Sequence, residues 1–423
     1  MKIFGLSIHR AGKCDPHCCA TTPDVICEKE RSCYELLFLR EARNAAVLRR
    51  FNPSRLRLAR KRRGLSKVVL ERRSGITVRS LGDFEKGREV PSDDAVESIA
   101  AALQFPAAFF YRVDLEEPSV AGVSFRSLKS MTAGQRDAAL AAGALAFELS
   151  QWIDARFQLS DIDVPDLRDY EAKEAALVLR HHWGIGIRPI PVGMMIPLLE
   201  SKGIRVFSLA ERAKQIDAYS LWYHNVPFVF LNTMKTVEHS RMDAAHELAH
   251  LVLHRRGARH GRDAEKEAKT FAAEFLMPRD SVIGVVPKLT GPSFQQLAQL
   301  KRNWGVSLAA LAMRLNHIGL LNDWSYRMIY IELSRYGRAR EPFGSQERET
   351  SAVLAKVLAM SKETGTTKAD IARDLDLYTE DLDDLVFGLS LTGVDGGNRK
   401  KDAGAEGRRS QLKLVSGPSP NET

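Results

Sequence analysis

A chain of 423 residues exceeds what one ordinary hydrophobic core supports, so two or three domains are expected. Its 44% hydrophobic and 27% charged residues are typical of a globular protein and exclude a chain that is disordered throughout. No uncharged apolar run reaches about 18 residues, and His9, Arg10 and Lys13 interrupt the apolar start of the chain too soon for a secretory signal. We therefore expect a cytoplasmic protein without a membrane span.

The cysteines lie at one end of the chain. All five fall within the first 33 residues, a distribution unlike that of a secreted disulfide scaffold: Cys14, Cys18, Cys19, Cys27 and Cys33. With His9 and His17 nearby they offer metal ligands, but their spacing matches no zinc pattern. Residues 1–50 are therefore expected to be a flexible, reduced N-terminal extension.

Positive charge is concentrated around and after the end of this extension. Residues 40–90 contain 16 Lys and Arg against 5 Asp and Glu, a local balance of +11, whereas the whole chain carries +9. One basic module therefore carries the excess, as in domains that bind nucleic acid.

Helical signals divide this module into four short helices. Pro53 suits the first turn of the first helix. Ser66, Thr77 and Ser92 are good N-cap residues for the three that follow, and a turn containing Gly75 separates the second from the third. This order predicts an all-α helix-turn-helix domain.

The segments LRLARKRRGLS, GIT, FEKG and VPS resemble the XRE (lambda-repressor-like) family over residues 52–111. The resemblance implies that residues 66–73 form the positioning helix and residues 77–86 the recognition helix of a DNA-binding domain. It implies major-groove contacts by Thr77, Val78, Arg79 and Asp83, and phosphate contacts by Arg62, Arg63, Lys67 and Lys86. The alternative is a basic helical bundle that binds protein.

Two residues depart from the family's pattern. Glu71 stands where the family usually has a small residue packed against the recognition helix, and Gly82 lies inside that helix, where glycine costs about 1 kcal/mol relative to alanine. The missing side chain at Gly82 makes room for Glu71 but offers one side chain fewer to the groove. Weak DNA binding, or a drift towards recognising protein, is therefore an open alternative.

The next segments predict a helical connector followed by a mixed α and β region. Residues 113–165 form a long helix or helical hairpin by their Ala, Leu and Trp spacing. His181 and His182 then lie on an amphipathic helix, where their side chains point about 100° apart and make poor joint ligands. IRVFSL predicts a strand, and residues 219–223 and 227–231, separated by His224-Asn225-Val226, predict a hairpin. Helix, hairpin and helix is the order of a compact metallopeptidase core.

The stretch AAHELAHLVLH carries the strongest chemical signal. On a helix, His246 and His250 stand about 40° apart, so both imidazoles can reach one ion. Glu247 is close enough to polarise a water bound to the same ion. Two nitrogens, a carboxylate and an open water position suit Zn²⁺.

A third ligand is predicted from DAEKEAKTFAAEFLMP. Ala268, Phe271, Ala272 and Phe275 form a helical stripe that would pack on a neighbour. Glu267 borders this stripe and can point at the histidines, while Glu265 and Glu274 are alternatives. A charged helix on the protein surface is the simpler interpretation of these glutamates.

LWYHNVPFVFLN, DAAHELAHLVLH and EKEAKTFAAEFLMP together resemble the ImmA/IrrE family of metallopeptidases, over residues 170–321. The resemblance implies His246, His250 and Glu267 as zinc ligands and Glu247 as the catalytic base. It also implies a zincin-like fold and cleavage of an XRE-type repressor. Ala249 and Lys269 stand where glycine and asparagine or aspartate are more usual, which puts efficiency or substrate choice in doubt rather than metal binding.

The C-terminal third predicts two further helical units, at residues 293–322 and 367–389. The second unit carries four acidic residues on its last helix, Glu380, Asp381, Asp383 and Asp384. Such a face repels phosphate, so we interpret it as a packing or docking surface rather than a DNA contact. The Gly-, Pro- and charge-rich tail at residues 391–423 is expected to be disordered.

Taken together, the sequence predicts a mostly helical α+β protein. The expected domains are an N-terminal extension (1–50), a helix-turn-helix domain (51–112), a connector (113–165), a zincin-like domain with a small sheet (166–325), a helical C-terminal domain (326–390) and the tail (391–423).

The leading hypothesis is a zinc metallopeptidase and transcriptional regulator that cleaves a repressor or antitoxin-like protein. Its partners would be DNA, through the helix-turn-helix, and that protein substrate, paired by its backbone with the strand edge at residues 220–223. No membrane partner is expected, and a homodimer is left open. The alternative is a DNA-binding regulator whose zincin-like domain is a sensor without proteolysis. A degenerate site without metal is a third hypothesis.

Overall fold

The computed structural model describes residues 50–118, 124–125, 132–209, 218–255, 261–286, 293–336, 341, 348–390 and 413–414. The predicted N-terminal extension, with its cysteines, and nearly all of the predicted tail lie outside these ranges. Within the described ranges, no helix combines the length and the apolar character needed to cross a membrane.

Four short helices open the described chain, as the capping signals predict. They are α1 (Pro53–Arg62), α2 (Lys67–Ser74), α3 (Val78–Glu85) and α4 (Asp93–Leu103). Ser66, Thr77 and Ser92 each accept a backbone N–H at a helix start, so each satisfies a donor that has no partner inside its helix. Gly75 ends α2 in the left-handed conformation, which bends the chain sharply into α3.

The predicted connector contains one long helix, α5 (Ala133–Asp154), which is buried along most of its length. Arg55 of α1 donates to both carboxylate oxygens of Glu148 on α5, at 3.0 and 2.8 Å, and both side chains are buried. Gly143 lets the side chain of Tyr219 approach α5 closely, because a Cβ at this position would lie 2.6 Å from the Tyr219 hydroxyl. The connector is therefore part of the core that joins the helix-turn-helix to the sheet.

The main sheet has four strands in the order β1-β4-β5-β3. Their bounds are β1 (Ser124–Phe125), β3 (Arg205–Ser208), β4 (Ala218–Tyr223) and β5 (Val226–Leu231). β4 and β5 form the predicted hairpin, but its turn is only His224 and Asn225, both with positive φ. Pro227 pairs with Trp222 as the second residue of β5 rather than marking its start. β3 runs parallel to β5 and β1 antiparallel to β4.

Helices cover this sheet and carry the chemistry. Between β2 (Phe157–Gln158) and the C-terminal third lie α6 (Ala172–His182), α7 (Met195–Ser201), α8 (Val237–Leu253) and α9 (Arg262–Leu276). α9 packs between α8 and α6, and α8 packs on β4 and β5. Buried side chains of α9, β4 and β5 pack against α8 and hold it on the sheet, so the side chains of α8 have little conformational freedom.

The C-terminal third is helical, as expected. It comprises α10 (Arg279–Val285), α11 (Phe294–Leu300), α12 (Leu308–His317), α13 (Asp323–Tyr336), α14 (Ala352–Glu363), α15 (Lys368–Asp374) and α16 (Thr379–Val386). A last strand, β6 (Lys413–Leu414), pairs with β2, so this part of the predicted tail is ordered by pairing. The fold is the mostly helical α+β arrangement that the sequence predicts; the domain boundaries themselves stay predictions.

Candidate functional site

Two histidines of α8 face one point. Their Nε2 atoms are 3.2 Å apart, and the side chains of His246 and His250 are buried. The helix can hold both rings there because α9 and β4 pack on either side of it. The four-residue spacing therefore does what the sequence predicts, and it brings two ligand nitrogens together.

A carboxylate completes the cluster, but it belongs to Glu265. Its oxygens lie 3.2 Å from His246 Nε2 and 3.4 Å from His250 Nε2. One ligand atom from each of the three residues falls within 4.8 Å of the others, a spacing that can hold a metal ion. Glu267, which the sequence assigns to the third position, is placed elsewhere: its Oε2 is 2.9 Å from His254 Nε2.

The direction of the α9 side chains explains the difference. The apolar stripe that packs α9 on α8 is centred on Ala268 and continues through Phe271 and Phe275. Glu265 lies three residues before Ala268 and Glu267 four residues before Phe271, so helical spacing along the stripe admits either glutamate. The packing of α9 on α8 decides between them.

The three donors fit a zinc ion by their chemistry. Glu265 Oε2 is buried and makes no well-aligned hydrogen bond within the described part of the chain, although an imidazole nitrogen lies beside it. Burial alone would raise the pKa of Glu265, but the facing His246 and His250 outweigh it and hold the pKa well below its usual range. An ionised carboxylate with two imidazole nitrogens is a ligand set that zinc accepts.

Glu247 follows the first histidine and is almost fully buried, with 1% of its surface exposed. The hydroxyl of Ser220, on β4, donates to Glu247 Oε2 over 2.7 Å. Trp222, two residues further along β4, donates from its indole to the backbone oxygen of Leu251, over 3.1 Å. These contacts fix α8 and its glutamate against the strand. No local sequence pattern singled out Ser220 as a partner of Glu247.

The recognition helix of the helix-turn-helix offers a polar, partly basic surface. Thr77, Arg79 and Lys86 are exposed, while Val78 and Asp83 are half-buried. Glu71 accepts the backbone N–H of Val78 over 3.2 Å.

Gly82 does not make room for Glu71, because a Cβ at Gly82 would instead meet Lys67 Nζ at 3.7 Å. Glu71 therefore caps the recognition helix, and does so without crowding it.

Three of the predicted phosphate contacts are occupied within the chain. Arg63 pairs with Asp381 over 2.5 Å and Arg62 with Asp384 over 2.7 Å, both on the acidic helix α16. The side chain of Arg62 is 1% exposed, so in this conformation it cannot reach DNA. Lys67 contacts Glu85 over 3.1 Å. The acidic helix is thus a packing surface, and it packs on the basic helix α1.

Two known domain families match the chain. Residues 199–316 match the M78 peptidase family, described as an IrrE N-terminal-like domain, and residues 54–108 match a helix-turn-helix domain. The chain joins a helix-turn-helix domain to an IrrE-like domain. No curated protein gives a significant match to it. The IrrE-like domain contains all of α8 and α9, and therefore the whole histidine and carboxylate cluster.

The two departures in the IrrE-like domain lie away from the cluster. Ala249 is buried in the core, and Lys269 is exposed on α9. Neither belongs to the three residues that come together. Sequence reasoning left His254, the last residue of HELAHLVLH, without a role, and this side chain contacts both His250 and Glu267.

One edge of β4 is already partly paired in the IrrE-like domain. Ser124 of β1 pairs with Ser220, and Phe125 with Tyr219. The edge at residues 220–223, which the sequence offered to an extended substrate, therefore starts at a residue that the chain itself covers.

Proposed function

We propose that this protein is a zinc-dependent endopeptidase that cleaves a repressor or antitoxin-like protein and so releases transcription. The observation that carries the proposal is the cluster of His246, His250 and Glu265 next to Glu247, inside an IrrE-like domain. The fused helix-turn-helix domain supports a link to DNA and to transcription. A protein substrate of the XRE type follows from the family resemblance alone.

In this proposal each residue has a separate task. His246, His250 and Glu265 would hold the ion, and zinc, when bound, would supply a Lewis acid that activates water for attack on a peptide carbonyl. Glu247 accepts the proton from that water. The Ser220 hydroxyl donates to Glu247 Oε2 over 2.7 Å and so holds this carboxylate in place on α8.

For DNA, we propose that the exposed recognition helix reads the major groove through Thr77, Val78 and Arg79, and that Asp83 lies at the edge of this surface. Lys86, exposed at the end of α3, is the phosphate contact that this conformation leaves accessible. Arg62, Arg63 and Lys67 would contribute only after their carboxylate partners release them.

A second candidate function is a DNA-binding regulator whose zinc domain is a sensor without proteolysis. The burial of His246 and Glu247, at 2% and 1% exposure, favours it, because a substrate carbonyl must reach these groups in an enzyme. Replacing Glu247 separates the two functions. Glu247→Gln should retain zinc but lose peptidase activity, whereas a sensor would keep its regulation unchanged.

The test incubates the purified full chain with XRE-type repressors encoded nearby and follows cleavage by mass spectrometry, with zinc content measured in parallel. His246→Gln should lose both zinc and cleavage. His239→Gln, an exposed histidine at the other end of α8, is the matched control and should lose neither. Cleavage by Glu247→Gln at the rate of the unchanged chain would refute the role given to Glu247.

A further inference from the structure

We propose that Glu267 and His254 form a hydrogen-bond relay that positions His250 for metal binding. The inference rests on the proposed zinc site, but it concerns residues outside the three ligands. It also gives a role to Glu267, which lies two residues after Glu265 on α9 and outside the cluster.

The relay is a continuous line of three side chains. His254 follows His250 by one turn of α8, and their Nδ1 atoms are 2.9 Å apart. On its other side, His254 Nε2 lies 2.9 Å from Glu267 Oε2 on α9. The His254 side chain is 5% exposed and that of Glu267 28%, so the line runs from the buried cluster towards the surface.

The protons along this line follow from the chemistry of its last member. An ionised carboxylate only accepts, so His254 Nε2 must carry the hydrogen that points at Glu267. A neutral imidazole has one N–H, which leaves His254 Nδ1 as an acceptor. His250 Nδ1 must then donate to it, and the lone pair of His250 is left on Nε2.

That lone pair faces the cluster. His250 Nε2 is the atom that lies 3.2 Å from His246 Nε2 and 3.4 Å from Glu265. The relay therefore selects the one tautomer of His250 that can bind a metal there. His254 is not a fourth ligand of the same ion, because it contacts the opposite nitrogen of the His250 ring.

A carboxylate behind a ligand histidine fixes the ring and raises its basicity, and losing such a partner typically weakens metal binding by about 10- to 100-fold. Here the carboxylate acts through an intervening imidazole. Glu267 and His254 are thus positioning residues, and their effects on zinc affinity should be coupled, because neither can act without the other.

The experiment measures the zinc dissociation constant of the full chain by competition with a chromophoric chelator. Glu267→Leu and His254→Phe should each weaken zinc binding by about 10- to 100-fold. The double variant should be no weaker than His254→Phe alone. Glu267→Gln, which keeps an acceptor oxygen, should bind within about threefold of the unchanged chain. Asp263→Asn, an exposed carboxylate of the same helix, is the matched control and should leave zinc affinity unchanged.

Three results would overturn the relay. The first is a Glu267→Leu chain that binds zinc as tightly as the unchanged chain. The second is a double variant in which the losses of zinc affinity add. The third is a Glu267→Gln chain that loses as much zinc affinity as Glu267→Leu. If Glu267→Leu lost its helical circular dichroism, His254→Phe would decide instead, since unchanged zinc binding in that variant would also overturn the relay. An unchanged chain that binds no zinc would instead overturn the metal site itself, and the relay with it.

Discussion

The ion pair between Arg63 and Asp381 ties the acidic helix α16 to the helix-turn-helix domain, and Asp381→Ala tests it. The variant removes both oxygens that the guanidinium contacts, at 2.5 and 2.7 Å. The side chains are 8% and 2% exposed, so water does not readily replace the lost carboxylate. Among the residues that the structure describes, Arg63 then keeps two backbone acceptors, the carbonyls of Leu103 and Gln104.

The expected size of the effect follows from this burial. Removing one partner of a buried pair costs about 3–5 kcal/mol, because the other charge is left away from water. The two remaining carbonyls and the ring of Phe105, 4.2 Å from the guanidinium carbon, offset part of that cost. We therefore expect the free energy of opening α16 to fall by about 2–4 kcal/mol.

Hydrogen–deuterium exchange of peptides covering α16 measures this opening. Glu380→Ala, an exposed carboxylate of the same helix, is the control and should change the opening free energy by less than about 0.5 kcal/mol. A double-mutant cycle with Arg63→Met should give a coupling of about 2 kcal/mol. A coupling near zero would refute the docking of α16 on α1. If Arg63 contacts phosphate when released, Asp381→Ala should also bind duplex DNA more tightly, with a steeper dependence on salt.

Further substitutions test the packing at and just after the C-terminal end of α7, with one control glycine elsewhere. Burial raises the pKa of Glu200 to about 7 from the ordinary 4.5, although Ser351 and two backbone N–H groups donate to it. The protonated form is thus favoured in the folded state, and the stability it contributes is present below about pH 4.5 and lost as the pH rises through 7. Glu200→Gln should remove this pH dependence of the unfolding free energy, which amounts to on the order of 3 kcal/mol. Urea midpoints that change equally between pH 5 and pH 8 in the variant and in the unchanged chain would contradict the prediction. Gly203→Ala places a Cβ 2.7 Å from the Asp161 backbone at φ +76°, whereas Gly184→Ala at φ +68° meets nothing within 4 Å. The first should cost about 3 kcal/mol or more and the second about 1 kcal/mol in thermal unfolding, so equal losses would exclude the steric reason.

Local structure was predictable from the sequence where a few neighbouring residues decide it. Ser66, Thr77 and Ser92 cap the helices they were expected to cap, since each makes a hydrogen bond within three residues. The hairpin was predictable for the same reason. The predicted turn was one residue too long, because Val226 was assigned to the turn. In the structure Val226 pairs with Tyr223 and is the first residue of β5, which strand propensity alone did not show.

The third member of the candidate metal cluster shows a different limit. His246 and His250 were predictable because they share one helix, whose geometry is fixed. Glu265 lies on another helix, and its choice over Glu267 depended on how α9 is rotated against α8. The apolar stripe did not settle that rotation, because Glu265 and Glu267 flank it on opposite sides at similar angles.

Contacts between distant parts of the chain were not predictable. Arg63 and Asp381 are 318 residues apart, and each lies in a segment whose charge suggests a partner without naming it. The two-residue strand β1 has no sequence signal of its own, because its pairing depends on the edge that β4 presents.

The pairing of β1 with β4 makes any extended substrate a competitor of the chain itself. A strand tethered to the same polypeptide acts at an effective concentration of about the millimolar range. A short free peptide that relies on a few backbone hydrogen bonds would lose that competition at ordinary concentrations. A protein substrate that also binds a second surface of the chain would not lose this competition, because that binding raises its effective concentration at the strand edge. Selectivity for folded partners over loose peptides would then come from the strand edge and not from a side-chain pocket.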